Sequence, residues 1–339
     1  MKIAIVILNW NGKELLEKFL PSVVNHSKEA TVWVADNASS DDSVAFVREN
    51  YPEVKLVQNS VNGGYAKGYN DALQHIEADL FCLLNSDVEV TQGWLTPIIE
   101  AFEKDQHLAV AQPKILDYKN PEFFEYAGAA GGFIDRLGYP FCRGRIFQSL
   151  EKDNGQYNDH FGIFWASGAC MFVRKEVFVS NGGFDEDYFA HQEEIDFCWK
   201  TINRGYQIRY IGSSVVYHVG GATLNAMNPQ KTFLNFRNSL FSITKNLPRR
   251  KVLPLLIARL LLDGIAAARF LFQLKVRHFA AVFKAHLSFY RNLGKMLKKR
   301  DFVNKDIKYY KCTSIVLSYF VYRRKLYKQV VSSDPRSPQ

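Results

Sequence analysis

The sequence predicts an α/β protein with a parallel sheet in its first half and a basic, mainly helical region at its end. Three observations carry this. Apolar runs of strand length alternate with stretches of helical periodicity over the first ninety residues. Polar residues stand at the carboxyl ends of those runs. Beyond Pro229, acidic residues nearly vanish and long helical patterns take over.

Each element has its own justification. Lys2–Asn9 reads as a buried strand. Gly12–Asn25 has helical spacing, with Leu15, Leu16, Phe19, Leu20 and Val23 on one face. Thr31–Ala35 is a second strand ending at Asp36-Asn37. Ser39, Ser40 and Asp41 are helix-capping types, and a helix over 42–50 follows. Val54–Gln58 is a third strand, and Tyr65–Ile76 a helix entered through Gly63-Gly64. Asp79–Leu84 is a fourth strand, ending at Asn85-Ser86-Asp87. Strands separated by helices imply right-handed βαβ units and a parallel sheet. Residues 108–175 read as irregular and glycine-rich, with one strand at Cys170–Val173, and 208–219 reads as strand again. Helical patterns then cover 231–246, 252–273 and 278–299. Ser333–Gln339 reads as a disordered tail.

The chain of 339 residues carries a net charge of +9, divided unevenly. Residues 1–229 hold a net −11 and residues 230–339 a net +20, which divides the chain into two candidate domains at that point. Five cysteines stand singly, with no CxxC pair, which argues against a zinc site or a disulfide framework and fits a reducing compartment. The first residues run straight into a short apolar strand without the pattern of a signal peptide.

In an open parallel sheet, ligands sit beyond the carboxyl ends of the strands. Asn9, Asp36, Asn59, Asn85 and Asp87 all fall there, which favours a polar ligand. A carboxylate after a strand, with a polar residue two positions earlier, can hold a hard divalent ion such as Mg²⁺ or Mn²⁺. Gly63 and Gly64 permit close backbone approach, and Lys67 and Asn70 lie on the first turns of the helix that follows. On a helix starting near Glu193, Glu193 lies over Asp196 while Glu194 projects elsewhere.

These pieces resemble the inverting nucleotide-sugar glycosyltransferases of family 2, in particular the bacterial rhamnosyltransferase-like branch. The matching segments are Val6–Gly12, Val34–Asp41, Asn62–Asn70, Leu83–Asp87, Ser167–Ala169, Gly182–Lys200 and Val216–Gly221, in the family's order over residues 3–223. The resemblance implies the GT-A fold, with a Rossmann-like nucleotide-binding half. It implies donor contacts from Asn9, Asp36, Gly64, Lys67, Asn70 and Asn85, and a metal held by Asp87 and His218. It also implies a sugar-facing Trp165, a phosphate-neutralising Arg237, and a general base in the acidic segment. Where the family usually shows Glu-Asp this chain has Glu193-Glu194. Glu194 is the first candidate base, with Glu193 and Asp196 as the others.

The resemblance further implies a nucleoside-diphosphate sugar as donor and a lipid-linked or saccharide acceptor, in the building of cell-surface polysaccharide. Val252–Phe272 is broken by Arg259, Asp263 and Arg269, too many charges for a spanning helix. Leucines with basic neighbours suggest instead a helix lying in a membrane interface or packed on a partner helix, with an ordinary helical subdomain of solvated basic faces as the plain alternative. The lipid-linked acceptors that the resemblance implies favour an anionic membrane surface, on the cytoplasmic side of the plasma membrane. No nucleic-acid-reading motif accompanies the basic charge. A nucleotidyltransferase needs a phosphate-gripping Gly/Lys loop that Asn9-Trp10-Asn11-Gly12 does not supply. A nicotinamide oxidoreductase needs GxGxxG after the first strand, which is absent. A non-catalytic carbohydrate- or membrane-binding scaffold is the alternative of another class, and the intact Asp87, Glu194 and His218 argue against it.

Overall fold

The computed structural model describes residues 1–220, 228–301 and 307–332. The strand β1 (Ile3–Asn9) is buried on both sides. Ile3, Ile5 and Ile7 join the core on one face of the sheet, and Ala4 and Val6 the core on the other. A strand covered on both faces has no polar alternation to show, which is why it reads as one apolar run. The chain continues through α1 (Lys13–His26), β2 (Thr31–Asp36), α2 (Ser43–Asn50), β3 (Lys55–Gln58), α3 (Gly64–Leu73) and β4 (Leu80–Asn85). β1 pairs in parallel with both β2 and β4, and β2 with β3, giving the order 4-1-2-3. The order reverses between β1 and β4, and a crevice opens at such a point beyond the strand ends.

After β4 come β5 (Val88–Val90), α4 (Thr96–Lys104) and β6 (Leu108–Asp117). A small antiparallel sheet follows, of β7 (Gly132–Ile134), β8 (Pro140–Cys142), β9 (Arg145–Ile146) and β10 (Ser149–Leu150). Then come β11 (His160–Gly162), β12 (Cys170–Arg174), α5 (Lys175–Ser180), α6 (Glu193–Asn203) and β13 (Gln207–His218). Among the described residues the main sheet has nine strands and is mixed. β12 runs antiparallel between β4 and β6, and β11 and β5 run antiparallel to β13.

The expectation of an irregular 108–175 is corrected by β6, a ten-residue strand in the centre of the sheet. Its Gln112 and Lys114 interrupt the apolar pattern, yet both are buried with partners. Gln112 bonds the Gly128 carbonyl and the Ser167 amide, and Lys114 pairs with Asp153 at 2.7 Å.

The C-terminal helices are α7 (Pro229–Asn246), α8 (Arg249–Phe272), α9 (Val276–Lys298) and α10 (Tyr327–Ser332). They are built into the first half of the molecule. Ile243, Leu247, Ile315, Tyr327 and Val330 belong to the same apolar cluster as β1 and α3. Arg259 is fully buried, stacked 3.9 Å from the Tyr139 ring centre and bonded to Leu137 O, Ser239 Oγ and Asp263. The expected disordered tail and Gly221 lie outside the described residues.

Candidate active site

The site grows from the ends of β1, β2 and β4. Asn9 and Asp36 are register partners, and Asn85 pairs with Leu8 one step earlier. Asn9 donates to Ser39 Oγ at 3.3 Å, and one Asp36 oxygen accepts from the Ser39 amide at 3.1 Å. The second oxygen of Asp36 and the side-chain oxygen of Asn9 are buried with no protein partner. Two orphaned acceptors at a sheet's switch point are what a ligand's N–H or O–H groups would satisfy. Asn37, Asn59 and Asn62 form an amide chain beside them, linked at 3.0–3.1 Å.

The β5–β13 ladder sets His218 opposite Val88, and therefore beside Asp87. His218 Nε2 lies 3.1 Å from Asp87 Oδ1, and Nδ1 lies 3.4 Å from Glu125 Oε2. Burial alone would push the imidazole down, but the carboxylates of Asp87 and Glu125 beside it raise it to about 10. Burial works to raise Asp87, and the bond and charge of His218 outweigh it. Asn85 Nδ2 sits 3.4 Å from the same imidazole Nε2. Glu125 had no sequence signal, because the fold alone brings it to His218. Gly220 adjoins this cluster at φ +68°, and a Cβ there would come 2.7 Å from Glu125 Oε1.

No group of three or more acidic, His or Cys side chains forms a metal cage among the described residues. Asp87 and His218 form an open pair instead. Mg²⁺ and Mn²⁺ sites typically draw one or two protein ligands and complete their shell with water and phosphate oxygens. The 3.1 Å between them is an imidazolium–carboxylate contact, and an ion would take the place of its proton, leaving a neutral imidazole and a carboxylate as two ligands. The pair fits such an ion.

The helix α6 begins at Glu193 after a strained approach. Phe189, His191 and Gln192 all have positive φ, 63°, 67° and 73°. Asn238 of α7 holds this segment by donating to the carbonyls of Tyr188, Ala190 and His191 at 2.7–3.1 Å. Glu193 is buried at 4% exposure, and burial, then the neighbouring Glu194, keep its carboxyl well above the usual range. Glu194 is half-open, and burial raises it to about 7. One oxygen of each has no protein partner. Cys142, buried in β8, lies within electrostatic reach of both Glu125 and Glu194. His191 Nε2 is also unpartnered, and burial holds that ring down at about 4.

Several of the expected site residues are engaged by partners within the protein. Asp196 is taken up by Lys245 at 2.6 Å and Asn246 at 2.7 Å, so it is no free base. Trp165 is a core residue: its indole donates to Phe133 O at 2.9 Å and lies flat against Gly132, where a Cβ would come within 2.0 Å of the ring. Arg237 spends its guanidinium on Asp187 O, Tyr188 O and Asn238, between the Phe233 and Phe241 rings. Asn70 clamps the Phe184 backbone with both ends of its amide. Lys67 pairs with Asp71 on its own helix at 2.8 Å. The start of α3 is closed as well. Phe189 O accepts from the Tyr65 and Ala66 amides, and Gly64 (φ +76°) passes so near that a Cβ would meet that carbonyl at 2.6 Å.

Residues 4–180 match the family model of glycosyl transferase family 2, and the chain belongs to that family. It is a glycosyltransferase. It is 26% identical over 233 residues to the N-acetylglucosaminyl-diphospho-decaprenol L-rhamnosyltransferase of Mycobacterium tuberculosis, covering 63% of this chain and 75% of that one. To the low-salt glycan biosynthesis hexosyltransferase Agl10 of Haloferax volcanii it is 23% identical over 308 residues, covering 86% and 92%. The fold matches GalNAc-T7 solved with UDP, GalNAc and Mn²⁺, at TM-score 0.57 and 16% identity. That match covers 72% of this chain and 48% of the other, so the chain spans about half of that protein. The architecture is thus the GT-A fold with added C-terminal helices.

Proposed function

We propose that the chain is an inverting, divalent-metal-dependent transferase. It moves a sugar from a nucleoside-diphosphate donor to a hydroxyl of a lipid-linked saccharide in cell-surface polysaccharide synthesis. Rhamnose is the first donor sugar to test, since a relative that covers most of its own length against this chain is a rhamnosyltransferase. The observation that carries the reading is the half-buried Glu194 at the start of α6, raised by burial to about 7 and with one oxygen unpartnered.

The donor's base is held by the free oxygen of Asp36, over Asn9. Asp87 and His218 would hold Mg²⁺ or Mn²⁺, which when bound would supply charge for the departing diphosphate. Glu194 accepts the proton of the acceptor hydroxyl. The bond from that oxygen to C1 forms as the bond from C1 to the phosphate oxygen breaks, so the anomeric centre inverts and nucleoside diphosphate leaves. No covalent sugar–enzyme step is required. Residues 1–229 carry this chemistry. Residues 230–339 steady the catalytic loop through Asn238 and hold the enzyme on the anionic inner face of the plasma membrane. No described helix is long and apolar enough to cross a membrane.

The test is a panel of nucleotide sugars with polyprenyl-diphosphate saccharides and Mg²⁺ or Mn²⁺. The reading expects acceptor-dependent release of nucleoside diphosphate and a product of opposite anomeric configuration by NMR. Release without acceptor dependence, or retained configuration, would overturn it.

A further inference from the structure

Helix α9 is apolar on two sides. Its inner side, with Ala281, Val282, Ala285 and Phe289, is buried in the protein. Its outer side exposes Val276, Phe283, Tyr290 and Leu297, spaced seven apart, and each is followed by an exposed cation: Arg277, Lys284, Arg291 and Lys298. A seven-residue step turns a helix by only ~20° short of full circles, so these are two adjacent stripes, one apolar and one basic.

Helix α8 carries a matching apolar stripe in Leu253, Ile257, Leu261 and Ile265, all exposed. The helices join at a turn where Phe272 is 89% and Leu274 87% exposed, the highest values among the large apolar side chains described. Between residues 249 and 300 there are thirteen Lys and Arg and a single acid, Asp263. Asp263 is buried against Arg259, His286 and Tyr139 and offers nothing to a partner.

Resting on the membrane reading above, we propose that the α8–α9 hairpin is the membrane-docking element. Its Phe272–Leu274 turn enters the acyl boundary, and the cation stripe of α9 pairs with anionic headgroups. Charge selects this occupant. A second copy of the chain would set one basic stripe against another, whereas an anionic bilayer satisfies apolar and basic stripes together. Long Lys and Arg side chains reach headgroups while their stems stay among acyl chains.

The test is co-sedimentation of the full chain with vesicles of phosphatidylglycerol and phosphatidylcholine in equal parts, against phosphatidylcholine alone. The wild type is expected to bind the anionic vesicles in a salt-sensitive manner. Phe272→Asp with Leu274→Asp, and separately Arg277→Glu with Lys284→Glu and Arg291→Glu, are expected to weaken binding at least about tenfold. Unchanged thermal unfolding would show that both variants are folded. If the wild type binds and both variants bind equally well, the hairpin assignment falls while the membrane reading stands. If the wild type binds neither vesicle, both fall. If the wild type elutes as a dimer that the variants dissociate, the stripes are a self-interface and the proposal is overturned.

Discussion

Lys245 Nζ lies 2.6 Å from Asp196 Oδ2, inside the protein, with Asp185 at the same distance on its other side. The ammonium thus ties the start of α6 to the loop before it and consumes the one acid of the Glu193–Asp196 segment that has a cationic partner. Asp196→Asn should therefore cost stability, about 2 kcal/mol. That is less than the 3–5 typical of an orphaned buried ion, because Asp185 still faces the lysine. Urea unfolding should register this loss, with kcat reduced far less than in Glu194→Gln. Equal losses of kcat would return Asp196 to the list of bases.

The pH profile follows from Glu194. Its carboxyl, raised by burial to about 7, is the charged base above that pH and the neutral acid below it. The kcat/KM of the wild type should fall on the acid side with a midpoint near 7, approaching tenfold per unit. Glu194→Gln should lose roughly 10²–10⁴ in kcat and lose this limb. A limb that survives in Glu194→Gln would assign it to Glu193.

Metal removal gives a third expectation. Chelation should stop transfer, and Mn²⁺ or Mg²⁺ should restore it. Asp87→Asn and His218→Ala should each raise the metal concentration needed for half-activity by about 10-fold or more. Activity untouched by exhaustive chelation would remove the metal from the scheme.

The orphaned oxygen of Asp36 predicts a donor effect. Asp36→Ala should raise the KM for the nucleotide sugar by about 10-fold, the worth of about one charged hydrogen bond. Its kcat at saturation should change little. A fall confined to kcat would place Asp36 nearer the reaction centre than the base of the donor.

Asn238 supplies the last. Its amide holds three carbonyls of the left-handed segment before α6, which Ala cannot do. Asn238→Ala should lower both the unfolding midpoint and kcat, and leave the KM for donor within about twofold. An unchanged kcat would mean that this segment keeps its shape without α7.

β1 and β4 were legible because burial on both faces leaves uninterrupted apolar runs, as in Ile3–Leu8 and Leu80–Leu84. The long C-terminal helices were legible from their period. β6 was hidden because Gln112 and Lys114 are polar yet buried, and their partners lie in distant segments. Asn9, Asp36 and Asp87 stand out as candidates because strand ends are where such a sheet binds ligands. Glu125 could not, since its meeting with His218 depends on packing between remote parts of the chain. Trp165 shows the opposite failure. An aromatic beside Ser-Gly reads the same in a core as on a sugar platform, and only Gly132 across from it decides.

Tyr327 packs its ring against Phe133 and Phe141, and its amide donates to buried Glu151 at 2.8 Å. Those partners leave the ribosome nearly two hundred residues before it. The wall around β7 and β8 therefore waits, unfinished and apolar, through more than half of synthesis. A chain stalled before residue 327 would expose that wall to chaperones and proteases, whatever the state of its nucleotide-binding half.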